Sequence, residues 1–487
     1  MSTWRAGLRN TLLVARRQVG AVREDRYVIF LLGLVIALGV VAVLGARHHA
    51  ASEAEQRARY QAMVERQWLE QPDRHPHRVI HYGFLVFREE APLAFFDPGV
   101  GAWAGTSLFL EGHRQNTANF GDARHATGML RFGRLTPATV LALLLPLFVV
   151  VAGFASVSAE RERGTLRLLL AQGATPAQIL AGKVLGTGAV AALAALPIGV
   201  AAVAIAGSGA VGPVSPGRIA GLAGIYAAYL VGWVLLTVLA SAFRASSRSA
   251  LAQLIAVWVV LCVAVPRLGA SVAGALHPLP SRAEFTAQVE RALNEVGDSH
   301  NPQDPFFRSL RDEYLARYDV GSVEELPLNW GGVVSREGEA VTSRIHEEQQ
   351  QDLVEGQRRQ DRVLSWAGLF SPYLAARDLS MAVSGTGPEA VEAFRAQAEA
   401  HRYDLIQRLN DLHINEIRYE NDRAQRLPRD SWAEFPTFGT RPPPLGGALA
   451  GRTLSLAALG LWLLLPLLGL GLARTRLARV GVDRAAE

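Results

Sequence analysis

Six stretches of this 487-residue chain run for about twenty residues or more with almost no charge. They are Tyr27 to Ala46, Pro137 to Val157, Ile179 to Gly207, Ile219 to Phe243, Ala250 to Leu268 and Thr453 to Ala473. A backbone in hydrocarbon must satisfy its own N–H and C=O groups, so an apolar run long enough to cross about 30 Å reads as a spanning helix. The fold class is therefore an all-α polytopic membrane protein with six transmembrane helices. Charged residues make up 19% of the chain, below the roughly 25% of a soluble domain, and they gather between the runs. The fifth run is the shortest, with Pro266 softening its end. The third contains Pro197, a position for a kink. The third and fourth are rich in alanine and glycine, which suits close helix packing in lipid.

Sidedness follows from the cations. Of 49 basic residues only Lys183 is a lysine. Arg5, Arg9, Arg16, Arg17, Arg23 and Arg26 precede the first run. Arg161, Arg163, Arg167 and Lys183 follow the second, Arg244 and Arg248 the fourth, and Arg474, Arg476, Arg479 and Arg484 the sixth. The short gap after the third has Arg218 alone. With six spans all the arginine-dense gaps share one side, the cytoplasm, which then holds both termini. This sorting accounts for the basic balance without nucleic acid. In residues 1–26, Leu8, Leu12, Leu13 and Val19 recur at helical spacing between arginines, as in an interfacial amphipathic helix. The alternative is an unstructured basic tail. A cleaved signal peptide is the alternative for the first span, but its apolar run exceeds the usual 7–15 residues or so.

The spans at 27–46, 137–157, 179–207, 219–243, 250–268 and 453–473 leave two long extracytoplasmic segments, 47–136 and 269–452, and a cytoplasmic tail, 474–487. The first segment reads as mixed α/β. "AEQRARYQAMVERQWLEQ" from Ala54 continues the first span as helix. "VIHYGFLVF" from Val79 has strand composition. "FFDPGVGAWAG" from Phe95 opens on a turn and continues irregularly. The second segment reads as mainly helical. Pro388 to Ile414 lines up Val391, Phe394, Ala398, Leu405, Leu409 and Leu412. Ser335 to Val363 is polar and reads as a solvated helix, or one packed on a partner. The proline-rich run from Leu427 reads as an extended return to the membrane.

Several chemistries are excluded. Cys262 is the one cysteine, so no intrachain disulfide forms, and its apolar setting makes it a packing residue. "AGKVLG" at Ala181 lacks both the first glycine and the Ser/Thr of a phosphate-binding loop. There is no HExxH and no GxSxG, and the spans carry no internal carboxylates for a hydrolase or a proton relay. "HPHRVIH" sets His75, His77 and His81 close together, with His113 and His125 following. Imidazoles bind zinc or copper, but Pro76 is a loop feature and no acidic or cysteine ligand has ligand-like spacing beside them. The expectation is no metal, with these three the candidates if one binds.

The charged gap "SAERERGTLRLLLAQGATPAQILAGK", Ser158 to Lys183, is built beyond what a linker needs. Leu166, Leu169 and Leu170 make an apolar face after Glu160, Arg161, Glu162 and Arg163. Gly173 is placed to cap that helix. Thr175, Pro176 and Gln178 form a helix start leading into the third span. The loop reads as an element that docks on a cytoplasmic partner, with a helix lying on lipid as the alternative.

This stretch resembles the coupling helix of ABC-2-type transporter permeases. Glu160, Glu162, Arg163, Gly164, Thr165, Leu166, Leu169, Pro176, Gly182 and Lys183 match that pattern; Arg167 departs from the glutamate of many members. "HYGFLVF", "FFDPGV", "LEGHRQN", "LPLNWGGVV" and "LFSPYLAARDLSMAVSGT" are similar to a bacterial subfamily with a domain of unknown function before the last span. The resemblance implies a permease subunit of the inner membrane that is not itself an enzyme and carries no cofactor. A separate ABC ATP-binding subunit, holding ATP and Mg, would grip residues Glu160 to Gln172. A second permease chain, the same or related, completes the complex, and export is the implied direction. The alternative function is mechanotransmission, in which ATP-driven motion works an envelope partner through the extracytoplasmic segments. A receptor or scaffold without an ATPase is the third reading.

Overall fold

The computed structural model describes residues 2–116, 135–296, 304–433, 438–441 and 443–482. The chain is a multi-pass membrane protein: six of its helices are long and apolar enough to cross a membrane. In chain order the main elements are α1 (Ser2–Glu24), α2 (Arg26–Leu69), α3 (Pro76–Tyr82), β1 (Phe84–Phe87), β2 (Ser107–Glu111) and β3 (Arg114–Gln115). Then come α4 (Pro137–Glu162), α5 (Thr165–Ala171), α6 (Pro176–Gly207), α7 (Pro216–Phe243) and α8 (Ser247–Leu276). The chain continues with α9 (Arg282–Val296), α10 (Pro305–Tyr318), α11 (Trp330–Ala367), α12 (Pro372–Ser384), α13 (Pro388–Glu416) and α14 (Thr453–Val482). The spans are α2, α4, α6, α7, α8 and α14.

The helices outrun the apolar stretches that signal them. α2 continues unbroken for 44 residues, so its second half stands clear of the apolar run. α8 passes through Pro266 to Leu276 rather than ending near it. In both α4 and α8 a wide π turn immediately precedes a proline: Val140–Leu144 before Pro146, and Val260–Ala264 before Pro266. The π register shifts the hydrogen bonding where the ring has no N–H to give, and the helix runs on.

The N-terminal segment is helical, separated from α2 by Asp25, whose carboxylate accepts from the N–H groups of Tyr27 and Val28. α1 lies against α6. Val14, Gln18 and Val22 turn inward, while Leu8, Leu12 and Leu13 remain exposed on the outer face. Two glycines one helical turn apart, Gly182 and Gly186, allow this contact. A Cβ at Gly182 would stand 2.6 Å from Val14 Cβ, and one at Gly186 2.6 Å from Gln18 Cβ. This is the small-residue crossing by which helices approach closely in lipid.

The two polar segments share one core. Val79 and Ile80 of α3 pack with Leu405, Ile406 and Leu409 of α13 and with Trp432. Val86, Leu108 and Leu110 of the sheet pack on Phe394 and Ala398 of α13. The sheet is antiparallel in the order β1-β2-β3, with Phe84 opposite Leu110 and Glu111 opposite Arg114. Four sequence expectations are corrected. Strand composition from Val79 gives way to helix through Tyr82, because Pro76 starts α3 and Gly83, at φ 61°, stops it; only Phe84–Phe87 pairs as strand. The stretch after Asp97 contains a helical turn, Gly101–Ala104. α11 is not solvated all round: Val333, Glu339, Ile345 and Val354 are buried. The return from Leu427 is not extended throughout, since a turn at Asp430–Ala433 sinks Trp432 into the core; residues 434–437 and Pro442 of that run lie outside the described residues.

α12 joins this domain to the spans. Its Ala376, Leu379 and Val383 sit in the core of the span bundle. Asp97 is fully buried and binds Arg377 at 2.9 Å and the Ser380 hydroxyl at 2.6 Å, and Ser380 also reaches the Tyr226 hydroxyl of α7 at 3.1 Å. Arg452, ahead of α14, pairs with Asp378 and with Glu389.

The α1 contact is testable. Gly186→Val puts atoms where Gln18 already stands, an overpacking that costs about 1–3 kcal/mol and lifts α1. Purified Gly186→Val should melt lower than wild type and be cut by protease near Glu24, whereas Gly188→Ala, which meets nothing within 4 Å, should behave as wild type. Equal melting and equal cutting of the two variants would contradict the crossing.

Candidate functional site

The charged gap between α4 and α6 is a compact device. It takes in the last turn of α4, Ser158–Glu162, then Gly164 at φ 74°, then α5. Its caps follow the sequence expectation. Gly173 takes φ 89°, its N–H and that of Ala174 closing onto the carbonyls of Leu170 and Leu169. Thr175 and Gln178 form a reciprocal capping box over Pro176.

Each of the first three charges of the cluster ties the loop to a different helix. Glu160 Oε1 accepts from Lys183 Nζ of α6 at 2.5 Å. The same ammonium donates to Gln18 Oε1 of α1 at 3.2 Å. Arg161 donates to the carbonyl of Ala242 at 2.6 Å and to that of Arg244, covering orphan carbonyls at the C-terminus of α7. Glu162 accepts from the Ser247 N–H at 3.0 Å and its hydroxyl at 2.6 Å, at the N-terminus of α8, where the helix dipole favours an anion. Below them the Ser241 hydroxyl accepts from the N–H groups of Val157 and Ser158.

The leucines divide between the two faces of α5. Leu166 is 1% exposed, packed with Val157, Ile179, Leu180 and the end of α14 at Leu470, Ala473 and Leu477. Leu169 and Leu170 border the same cluster. The outward face is Arg163, Gly164, Thr165, Arg167 and Leu168, the last 61% exposed. So of the sequence candidates, Glu160, Arg161, Glu162, Leu166 and Lys183 hold the loop to the spans, while Arg163, Gly164 and Thr165 face out. Leu168 and Gln18 were missed. Leu168 lies on the polar side of the leucine period, and Gln18 is 165 residues from its partner.

The second constellation lies in the polar domain. α3 puts His77 and His81 four residues apart on one face, with Nε2 atoms 3.3 Å apart. His113 joins them from the β2–β3 turn; one ring nitrogen of each of the three lies within 4.8 Å of the others. His75 does not belong to that set. Its Nδ1 caps α3 by accepting the His77 N–H at 3.2 Å, and it groups with His413 and Asp422. Asp422 accepts from His413 Nε2 at 2.7 Å and from the Asn329 amide at 2.8 Å. Burial pushes His77 down to about 3, with the neighbouring imidazoles of His81 and His113 adding to it. Burial and then His413 push His75 down to about 4. Both rings are therefore neutral at neutral pH. His125 lies outside the described residues. The spacing signal at His77 and His81 was present in the sequence, but it has meaning only on a helix.

A family model described as "Domain of unknown function (DUF3526)" matches residues 282–441. The match covers α9 to α13 and includes Glu339, Arg377, Arg402, His413 and Asp422, but none of the six spans. No curated protein matches the chain.

Lys183 is 3% exposed, and a buried charge that loses its partner costs about 3–5 kcal/mol. Lys183→Met alone should therefore destabilise the protein by about 3 kcal/mol, the lower end of that range because Glu160 keeps some water. Adding Glu160→Gln should restore more than half. Thermal melts of the two single variants and the double variant form the cycle; strictly additive losses would show the two side chains to be uncoupled.

Proposed function

We propose that this chain is the membrane subunit of a bacterial ABC transporter of the ABC-2 type. A separate ATP-binding subunit, which holds ATP and Mg, docks on the α4–α6 loop. The carrying observation is the wiring of residues 158–183: a loop whose outer face is free and whose charged side chains reach α1, α6, α7 and α8. A push on the outer face of α5 is delivered to several spans at once. A simple linker has no use for such ties, and a helix lying on lipid would not place Arg163 and Arg167 beside Leu168 on its outer face. The resemblance of Glu160 to Lys183 to a coupling helix supports the same reading. In it the Arg-rich ends and both termini are cytoplasmic, the polar domain is extracytoplasmic, and the membrane is the inner one. Two permease chains assemble, and export is the direction by family analogy.

A second reading is favoured by one feature. α2 runs without a break from the bundle into the polar domain, and Asp97 binds that domain to α12 and, through Ser380, to α7. Motion of the spans is thereby passed outward, as a mechanotransmitter acting on an envelope partner requires. Apart from Lys183, the buried polar side chains among the spans are scattered hydroxyls such as Ser156, Thr187 and Thr237, not a continuous polar path among the described residues.

The docking assignment predicts the behaviour of two exposed positions. With ATP-binding proteins encoded nearby co-expressed, one should copurify with the wild-type chain. Arg163→Glu combined with Leu168→Asp should reduce its recovery more than tenfold (about 1.4 kcal/mol or more of binding), with no change in the melting of the permease alone. An ATPase held equally by the double variant, or by neither chain, would remove this loop as the docking element.

A further inference from the structure

The three histidines that the fold gathers, His77, His81 and His113, are arranged as ligands. A tetrahedral ion with metal–nitrogen bonds of about 2.05 Å sets its ligand nitrogens about 3.3 Å apart, and the Nε2 atoms of His77 and His81 are 3.3 Å apart. The third nitrogen lies within 4.8 Å of both.

The surroundings orient the rings. Glu339, fully buried on α11, faces His113 twice: Oε2 accepts the backbone N–H at 2.9 Å and lies 3.3 Å from Nδ1. A proton on Nδ1 leaves Nε2 with its lone pair. Glu339 is itself fixed by Arg402 at 2.5 Å and by the Ser343 hydroxyl at 3.0 Å. His77 Nδ1 meets the Ser335 hydroxyl at 3.3 Å, again turning Nε2 toward the cluster. Such carboxylate and hydroxyl partners behind the imidazoles are the usual supports of a metal-binding histidine.

The backbone also bears a cost at this point. His113 sits at φ 60° in the turn after β2, a left-handed conformation that few non-glycine residues adopt. The turn is pinned there because Gly112 lies directly on α3: its N–H donates to the Ile80 carbonyl at 3.1 Å, and a Cβ would stand 2.0 Å from Ile80 Cγ2.

We propose that His77, His81 and His113 bind one divalent transition-metal ion of the zinc type through three imidazole nitrogens, with a fourth position open at the domain surface. Imidazole ligands favour zinc, copper and nickel over magnesium or calcium. His81 is exposed and the other two half-buried, so water or a further ligand can reach the ion. The neighbouring set is a contrast. His75 spends Nδ1 on the cap of α3, and His413 directs Nε2 to Asp422, so those side chains are committed to the fold.

The test uses the full-length chain, purified through a tag without histidine, stripped with chelator and titrated with Zn2+. Wild type should hold one zinc per chain by elemental analysis. His81→Ala removes an exposed ligand without disturbing the core and should weaken binding more than about 100-fold, beyond what loss of a supporting residue does. Ser335→Ala should weaken it about tenfold, and His413→Ala should leave the stoichiometry at one. Should His113→Ala misfold, His81→Ala and the Cu2+ electron paramagnetic resonance spectrum, with splitting from three nitrogens in wild type and two in the variant, still decide. Zinc absent from wild type, or retained equally by His81→Ala, overturns the site.

Discussion

A charge withdrawn from water must meet an opposite charge or a set of hydrogen bonds, and the Glu160–Lys183 contact is where this chain meets that demand in its span bundle. Lys183 is the chain's one lysine and lies within an apolar helix, so its position is intelligible only with Glu160 and Gln18 around it. That requirement fixes the first turn of the loop after α4 against α6, and α1 against both. Arg161 and Glu162 then fall at the ends of α7 and α8, where backbone carbonyls and N–H groups have no partner of their own. One short sequence thus completes the ends of α7 and α8 and joins them to α6 and α1.

The polar domain obeys the same rule with different residues. Asp97 has no exposure and is satisfied by Arg377, Ser380 and the Gly99 N–H. Glu339 and Arg402 are buried together deeper in the domain. At the first node the partners come from different segments of the chain: Asp97 lies before the second span, and Arg377 follows the fifth; Glu339 and Arg402 both follow the fifth, on α11 and α13. Two of the sequence stretches singled out above, "FFDPGV" and "LFSPYLAARDLSMAVSGT", meet in space at the first of these nodes.

Much of the membrane architecture was legible because hydrocarbon imposes a length and a composition that survive in any sequence. The six spans follow from that alone, the continuation of α2 from the helical pattern of the polar run from Ala54, and the caps at Gly173 and Thr175 from local hydrogen bonding. What was not legible depends on distant partners. The β-branched and aromatic residues after Val79 suggest a strand; Pro76 and Gly83 mark a helix instead, and packing on α13 favours it. With α3 misread, His77 and His81 did not share a face, and His113, from a turn more than thirty residues later, had no reason to approach them. The leucine period of α5 correctly indicated an apolar face, but its cover is the end of α14, which nothing local in the sequence announces.

α2 has a mechanical consequence. A continuous helix of 44 residues is a rod about 66 Å long at 1.5 Å per residue. Its near half packs within the span bundle, and its far half borders the polar domain at Trp68 and Phe84. Pivoted at its foot, such a rod turns a tilt of about 5° into a displacement of about 6 Å at its tip. An angular change too small to open a path between spans is therefore large on the scale of a side-chain contact at the other end.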